Sequence, residues 1–225
     1  MDRANKEAVM DKDLKIIIFD MDGVVLDSEP LHENARQMMF KEFGIVPDET
    51  FPEAVGKSSA GFWRQIIELC KIDGEPYALE ARQYALVAQQ IEENGVQPSV
   101  GFLDIVNWAK ENGVIVGLAS SSTRILVNDS LRLLGVKEFF DYTVSGNEIA
   151  KKKPAPDSYL KVLELSGCKA EHAIAIEDSS SGVAAAKNAG IFCFGYQNVT
   201  SGEQDLSKAD KIIDSLTEIM DWINE

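Results

Sequence analysis

Asp20 and Asp22 stand two residues apart at the end of the apolar run Ile16-Ile17-Ile18-Phe19, with Gly23 directly behind them. A short, β-branched run that is apolar on both faces reads as a buried strand of a parallel sheet. Ligands of open α/β sheets bind just beyond the carboxyl ends of such strands. Packing gives no reason to place two acids there. Chemistry does: carboxylates hold a hard cation through oxygen, and they act as nucleophile or as acid and base. Taken alone, the same pattern also fits a plain turn after a strand.

Other strand-like runs end in polar residues too. Val114-Ile115-Val116-Gly117-Leu118-Ala119 runs into Ser120-Ser121-Ser122-Thr123, ahead of a helical period. Amides at the start of such a helix can hold an anion. The shorter run Tyr142-Thr143-Val144-Ser145 precedes Lys151-Lys152-Lys153-Pro154-Ala155-Pro156-Asp157, which sets cations before a proline-initiated helix. Ala173-Ile174-Ala175-Ile176 ends in Glu177 and Asp178, and Ser179-Ser180-Ser181-Gly182 opens the helix that follows. Each segment has a simpler explanation: a serine cap, a solvated lysine loop, acids compensating a helix dipole. In combination, the carboxylates, serine and lysine make a site for phosphate and Mg²⁺. That ion binds through one or two carboxylates plus phosphate and water, and a lysine offsets charge on the transferring group.

These segments need a scaffold that brings strand ends together. Ile191-Phe192-Cys193-Phe194 and Lys211-Ile212-Ile213 are further strands. Phe102, Ile105, Val106 and Ala109 form a helical stripe, as do Val127, Leu131 and Leu134, and Leu216, Ile219, Met220 and Ile223. Strands alternating with helices predict an α/β fold, a Rossmann-like parallel sheet covered on both faces. Ser28 to Gln97 differs, with helical stripes at Leu31, Ala35, Met38 and Met39 and at Phe62, Ile66, Leu69 and Cys70, and no convincing strand. A connection this long exceeds any ordinary loop. The expected division is therefore a core of residues 1–27 and 98–225 and an inserted helical domain of residues 28–97. Asp27, Ser28 and Pro30 mark its first helix start, and its two linkers would let it open and close over the acids.

Composition removes several classes of function. The 225 residues carry 22 Lys plus Arg against 37 Asp plus Glu, a net charge of −15. Nucleic acid and anionic membranes both need a basic footprint, so neither is an expected partner. No run is long enough to span a bilayer. Met1 to Leu14 alternates charges without an apolar stretch, so it reads as a frayed or weakly helical extension and not as a secretory signal. Cys70, Cys168 and Cys193 are few and widely spaced, which suits a reduced, cytoplasmic protein. With His32 and His172 as its two histidines, the chain has no His-rich zinc site. No sustained heptad argues for an obligate oligomer, and a monomer is expected.

From about Lys15 onward the chain resembles the haloacid dehalogenase superfamily of phosphotransferases. The likeness is carried by Asp20-Met21-Asp22-Gly23-Val24-Val25-Leu26-Asp27-Ser28-Glu29-Pro30, Leu118-Ala119-Ser120-Ser121-Ser122, Lys153-Pro154-Ala155-Pro156-Asp157, and Ile176-Glu177-Asp178-Ser179-Ser180-Ser181-Gly182. The helical insert is similar to the small cap of the branch holding beta-phosphoglucomutase and sugar-phosphate or phosphoglycolate phosphatases. The resemblance implies roles. Asp20 is the nucleophile that becomes an aspartyl phosphate, and Asp22 is the acid and base. Ser120 and the Ser121 amide hold a phosphoryl oxygen, while Lys153 contacts that group and the nucleophile. Mg²⁺ lies on the Asp20 carboxylate, the Asp22 main-chain carbonyl and Asp178, with Glu177 in or beside its shell. Dehalogenating and phosphonate-cleaving members lack the second acid, and transport ATPases have threonine there, so Asp22 points to phosphate esters.

Hydrolase and mutase share all four motifs. His32 lies where beta-phosphoglucomutase has a histidine tied to closure and proton transfer; an exposed or capping role fits it equally. Against the mutase, the loop Val55-Gly56-Lys57-Ser58-Ser59-Ala60-Gly61-Phe62-Trp63-Arg64 has serine near the mutase's arginine, and Thr123-Arg124 replaces its lysine–asparagine pair. Lys57, Arg64, Arg82 and Arg124 are candidate cations for a second phosphate or a sugar acid, with a solvated helix face as the alternative for Arg64 and Arg82. The insert holds six Lys or Arg and twelve Asp or Glu, which suits a small phosphomonoester better than a long polyanion. The expectation is a Mg²⁺-dependent phosphatase of small phosphorylated metabolites, with a phosphohexomutase or a non-catalytic binding protein as alternatives.

Overall fold

The structure is a computed structural model that describes residues 13–54 and 59–224. The expected N-terminal extension falls outside it up to residue 12, and Leu14 is buried. The chain divides into two compact units. One runs to Asp27 and resumes at Gln97; the other is Ser28–Val96.

The first unit is built on six parallel strands: β1 (Ile16–Phe19), β2 (Ile115–Ala119), β3 (Tyr142–Val144), β4 (Ala173–Glu177), β5 (Phe192–Tyr196) and β6 (Lys211–Ile213). Their order is β3-β2-β1-β4-β5-β6. The chain walks from β1 outward through β2 to β3, then returns to the other side of β1 with β4. The direction of winding therefore reverses between β1 and β4, where an open α/β sheet forms its ligand crevice. Register makes this quantitative: Phe19 pairs with Leu118 on one side and with Ile176 on the other. Asp20, Ser120 and Glu177 thus leave the sheet at nearly the same height.

All four β1 residues are wholly buried. Ile16 and Ile18 face a cluster with Tyr159, Val162, Val183 and Ala186 from the helices Asp157–Ser166 and Ser180–Asn188. Alternation sends Phe19 to the opposite face, where its ring meets Phe102 edge-on at 5.1 Å. Phe102 opens the helix Phe102–Glu111, whose expected stripe is buried throughout. Burying one such aromatic contributes about 1.5–3 kcal/mol, so a four-residue strand is anchored from both faces.

The second unit has three helices, α1 (Glu29–Phe43), α2 (Ser59–Cys70) and α3 (Pro76–Asn94). Its core contains Met39, Phe40, Phe62, Trp63, Ile66 and Leu79. The buried face of α1 is His32, Ala35, Arg36, Met39 and Phe40, whereas Met38 is 45% exposed. Apolar spacing missed this face because two of its members are polar. Arg36 is tolerated there because Glu29 and Glu33 both take its guanidinium, at 2.5 and 2.7 Å.

Among the described residues, no helix is long and apolar enough to cross a membrane.

Candidate active site

β1 ends at Phe19, and residues Met21 to Leu26 form a tight turn. The amides of Val24, Val25 and Leu26 all donate to the Met21 carbonyl, and Gly23 N–H donates to the Leu26 carbonyl at 2.7 Å. Gly23 has φ +82°, and a Cβ there would lie 1.8 Å from Asp178 Oδ2. Glycine is required twice over, by conformation and by the approach of that carboxylate.

Asp20, Glu177 and Asp178 each offer a carboxylate oxygen within 4.8 Å of the others, and all three are buried. Lys153 is the cation bound to this group. Its ammonium donates to Asp20 Oδ1 at 2.7 Å and to Glu177 Oε1 at 2.5 Å. Lys151 and Lys152 are exposed, so one of the three sequence candidates reaches the carboxylates. Glu177 Oε1 also accepts from the buried Tyr159 hydroxyl at 2.5 Å. A Cβ on Gly182 would lie 1.8 Å from Glu177 Oε2, so the first turn of the helix Ser180–Asn188 closes directly on this side chain.

Three carboxylates facing one ammonium leave negative charge uncompensated among the described residues. Burial first, then the Glu177 charge, holds Asp20 well above the usual carboxylate range, with Lys153 opposing. Burial and Glu177 push Asp178 up to about 7. Burial alone would lower the Lys153 ammonium, but the charges of Asp20 and Glu177 reverse this and raise it. Burial and Glu177 also raise Tyr159, which keeps its phenol protonated as a donor. All-oxygen donors, close spacing and excess negative charge fit a hard divalent cation such as Mg²⁺.

Asp22 is less buried, and the Ser122 hydroxyl donates to its Oδ2 at 2.7 Å. Ser120 is fully buried, its Oγ accepting from the Ser122 amide at 3.0 Å. Ser121 is exposed between them. The first amide of the helix Arg124–Leu133 is taken by Asn147 Oδ1 at 3.0 Å, so that N–H does not serve an anion here.

The other expected substrate contacts fall differently. Arg124, expected to be a substrate cation, is committed to structure. Its guanidinium is paired with Glu148 and donates to the Thr143 hydroxyl and carbonyl at 2.6 and 2.7 Å. It clamps β3 to the loop that follows, and a clamp between segments this far apart in the chain leaves no sequence signature. Arg64 is exposed on α2, and Lys57 lies outside the described residues. His32 is buried in the helical unit, where Gln83 Nε2 lies 2.9 Å from its Nδ1. Trp63 Nε1 donates to Gln83 Oε1 at 2.7 Å. An indole only donates, so the Gln83 amide group must face the histidine, and Nδ1 is the acceptor. Tyr159 and Ser201, which donates to Asp178, escaped the sequence reading, and Ser122 was read as part of a serine cluster without its contact to Asp22. Tyr159 had one available signal, a polar aromatic two residues into a helix that follows the lysine segment.

A model of the haloacid dehalogenase-like hydrolase family matches residues 17–196. The chain belongs to this family. Among curated relatives, the fructose-1-phosphate phosphatase YqaB of Escherichia coli is 31% identical over 179 residues, 78% of this chain and 92% of that protein. Among solved structures, CbbY of Rhodobacter sphaeroides in complex with phosphate superimposes with a TM-score of 0.81 at 24% identity, covering 94% of this chain and all of that one. The beta-phosphoglucomutase of Clostridium difficile gives a TM-score of 0.74 at 25% identity, covering 94% of this chain and 97% of its own. The six-stranded parallel sheet is the α/β fold these structures share.

Proposed function

We propose that this haloacid dehalogenase-like hydrolase is a Mg²⁺-dependent phosphatase of small phosphorylated metabolites, sugar phosphates foremost, working through an aspartyl phosphate on Asp20. The observation that carries this reading is the Lys153 ammonium bridging Asp20 and Glu177 inside a buried carboxylate cluster. The fructose-1-phosphate phosphatase activity of its relative YqaB supports the substrate class.

Asp20 attacks phosphorus in line, forming its carboxyl oxygen–phosphorus bond as the ester oxygen departs. Asp22 gives that oxygen a proton, then takes one from the water that cleaves the aspartyl phosphate, releasing phosphate and restoring both carboxyl groups. Ser122 holds one Asp22 oxygen and fixes the direction of the carboxyl. Ser120 and the Ser121 amide receive a phosphoryl oxygen. Lys153 opposes the rise that burial and Glu177 impose on Asp20 and orients its carboxyl, and Glu177 with Tyr159 keeps Lys153 in place. Asp20, the Asp22 carbonyl and Asp178 would hold Mg²⁺, which would compensate charge on the transferring group. His32 is held by Gln83 within the helical unit, and Lys57 and Arg64 are kept as the proposed substrate cations.

A monomer remains the proposed state because the sequence has no sustained heptad, and the free thiols of Cys70, Cys168 and Cys193 suit a cytoplasmic setting. The likeness to beta-phosphoglucomutase favours a phosphohexomutase as the second reading. One assay separates the two. The protein is incubated with Mg²⁺ and a panel of sugar phosphates that includes β-glucose 1-phosphate with its bisphosphate activator. Release of inorganic phosphate is expected. Glucose 6-phosphate without phosphate release selects the mutase, and neither product across the panel rejects catalysis on this substrate class.

A further inference from the structure

The chain leaves β5 at Tyr196 and turns through Asn198–Ser201. Side chains of this turn reach both loops that carry the carboxylates. Ser201 Oγ donates to Asp178 Oδ2, with both residues buried. Asn198 Nδ2 donates to the Gly23 carbonyl at 2.8 Å, and Thr200 Oγ1 donates to Asp27. The turn is itself braced. Asn198 Oδ1 accepts from the Thr200 amide at 3.0 Å, and the Ser201 amide donates to the Asn198 carbonyl at 3.1 Å. Gln204 ties it to the helix beyond Asp178, donating to the Ser201 carbonyl and accepting from the Ser180 amide, each at 3.0 Å.

We propose that the Asn198–Ser201 turn is a positioning element for the divalent cation, in which Ser201 orients Asp178 and Asn198 tethers the Asp20–Asp22 turn to it. The proposal rests on the Mg²⁺ assignment above. A carboxylate rotates about its last bond, and three of them close together repel one another. A donor fixed to one Asp178 oxygen sets the plane of that carboxylate before any cation arrives. Partners of this kind outside the ligand set are typically worth about 10- to 100-fold in metal affinity. The motif sequences give no sign of this role, because the turn lies about twenty residues beyond the last of them.

The test is Mg²⁺ titration of the substrate-free protein by calorimetry, alongside circular dichroism to confirm folding. Ser201→Ala is expected to weaken binding by about 10-fold or more, and Ser201→Thr, which keeps the hydroxyl, is expected to restore it. Asn198→Ala, which acts through Gly23, is expected to weaken binding as well. A folded Ser201→Ala protein with wild-type affinity overturns the proposal. Should Ser201→Ala fail to fold, wild-type affinity in Asn198→Ala overturns it. Wild-type protein that takes up no Mg²⁺ overturns the metal assignment and this proposal together, whereas normal wild-type binding with unaltered variants overturns the positioning role alone.

Discussion

Both units bury polar side chains, but they do so in opposite ways. In the helical unit each buried group meets a complementary one. Trp63 feeds Gln83, which feeds His32; Gln90 accepts from Asn34; Arg36 lies between Glu29 and Glu33; and Glu80 accepts from the Ala60 amide. In the sheet unit, Asp20, Glu177 and Asp178 crowd together around Lys153 with negative charge in excess. The first arrangement satisfies donors and acceptors and rigidifies a small core. The second holds like charges close together with one ammonium to offset them. The lesson is that burial of polarity does not mark a functional site; burial of uncompensated like charge does.

The sharpest way to break this contrast is Asp20→Asn. Removing the nucleophile is expected to lower turnover on the order of 10⁴-fold or more while the fold persists. Retained turnover in a steady-state phosphate-release assay, with folding verified by circular dichroism, would refute the nucleophile. Lys153→Met removes the counter-ion of a buried cluster and is expected to cost about 3–5 kcal/mol in denaturant unfolding without Mg²⁺, as well as activity. Gln83→Leu, in the helical unit, strands the Trp63 N–H and the His32 acceptor. It is expected to cost about 1–3 kcal/mol while leaving Mg²⁺ affinity unchanged; weakened Mg²⁺ binding would show that the two networks are not separate.

The same contrast extends to a pH dependence. Asp178 is pushed from the ordinary carboxylate range up to about 7, by burial and then by Glu177, with Asp20 also raised. A raised carboxyl contributes stability below its unfolded pKa and loses it as pH rises through the folded value. Metal-free protein is therefore expected to lose stability between about pH 4 and 7 on this account. Mg²⁺ must displace protons from these carboxyls, so its apparent affinity is expected to rise with pH through neutrality. Thermal unfolding with Mg²⁺ and with a chelator, across pH 5 to 8, checks the sign.

Much of this was legible before any coordinates. β2, β3, β4 and β5 each begin within one residue of the start of an apolar run, and the helix Phe102–Glu111 buries the whole of its predicted stripe. Such periodicities are local, set by backbone geometry and by which face meets the sheet. The exception is instructive: α1 buries His32 and Arg36 on the face that apolar counting assigned partly to Met38. The apolar pattern has no means of seeing a buried arginine whose partners, Glu29 and Glu33, supply its charge balance.

By itself, the sequence determined where chemistry could stand, because Asp20, Ser120, Glu177 and Asp178 follow runs that can only be buried strands, and strand ends are where such sheets expose their ligands. The tertiary structure alone decided which residues meet. Tyr159 was brought to Glu177, Arg124 was assigned to Glu148 and Thr143, and Ser201 was brought from a distant turn to Asp178. Contacts of that kind depend on the register of strands far apart in the chain and on the sum of several charges in one buried volume. Neither quantity is a property of any local stretch of residues.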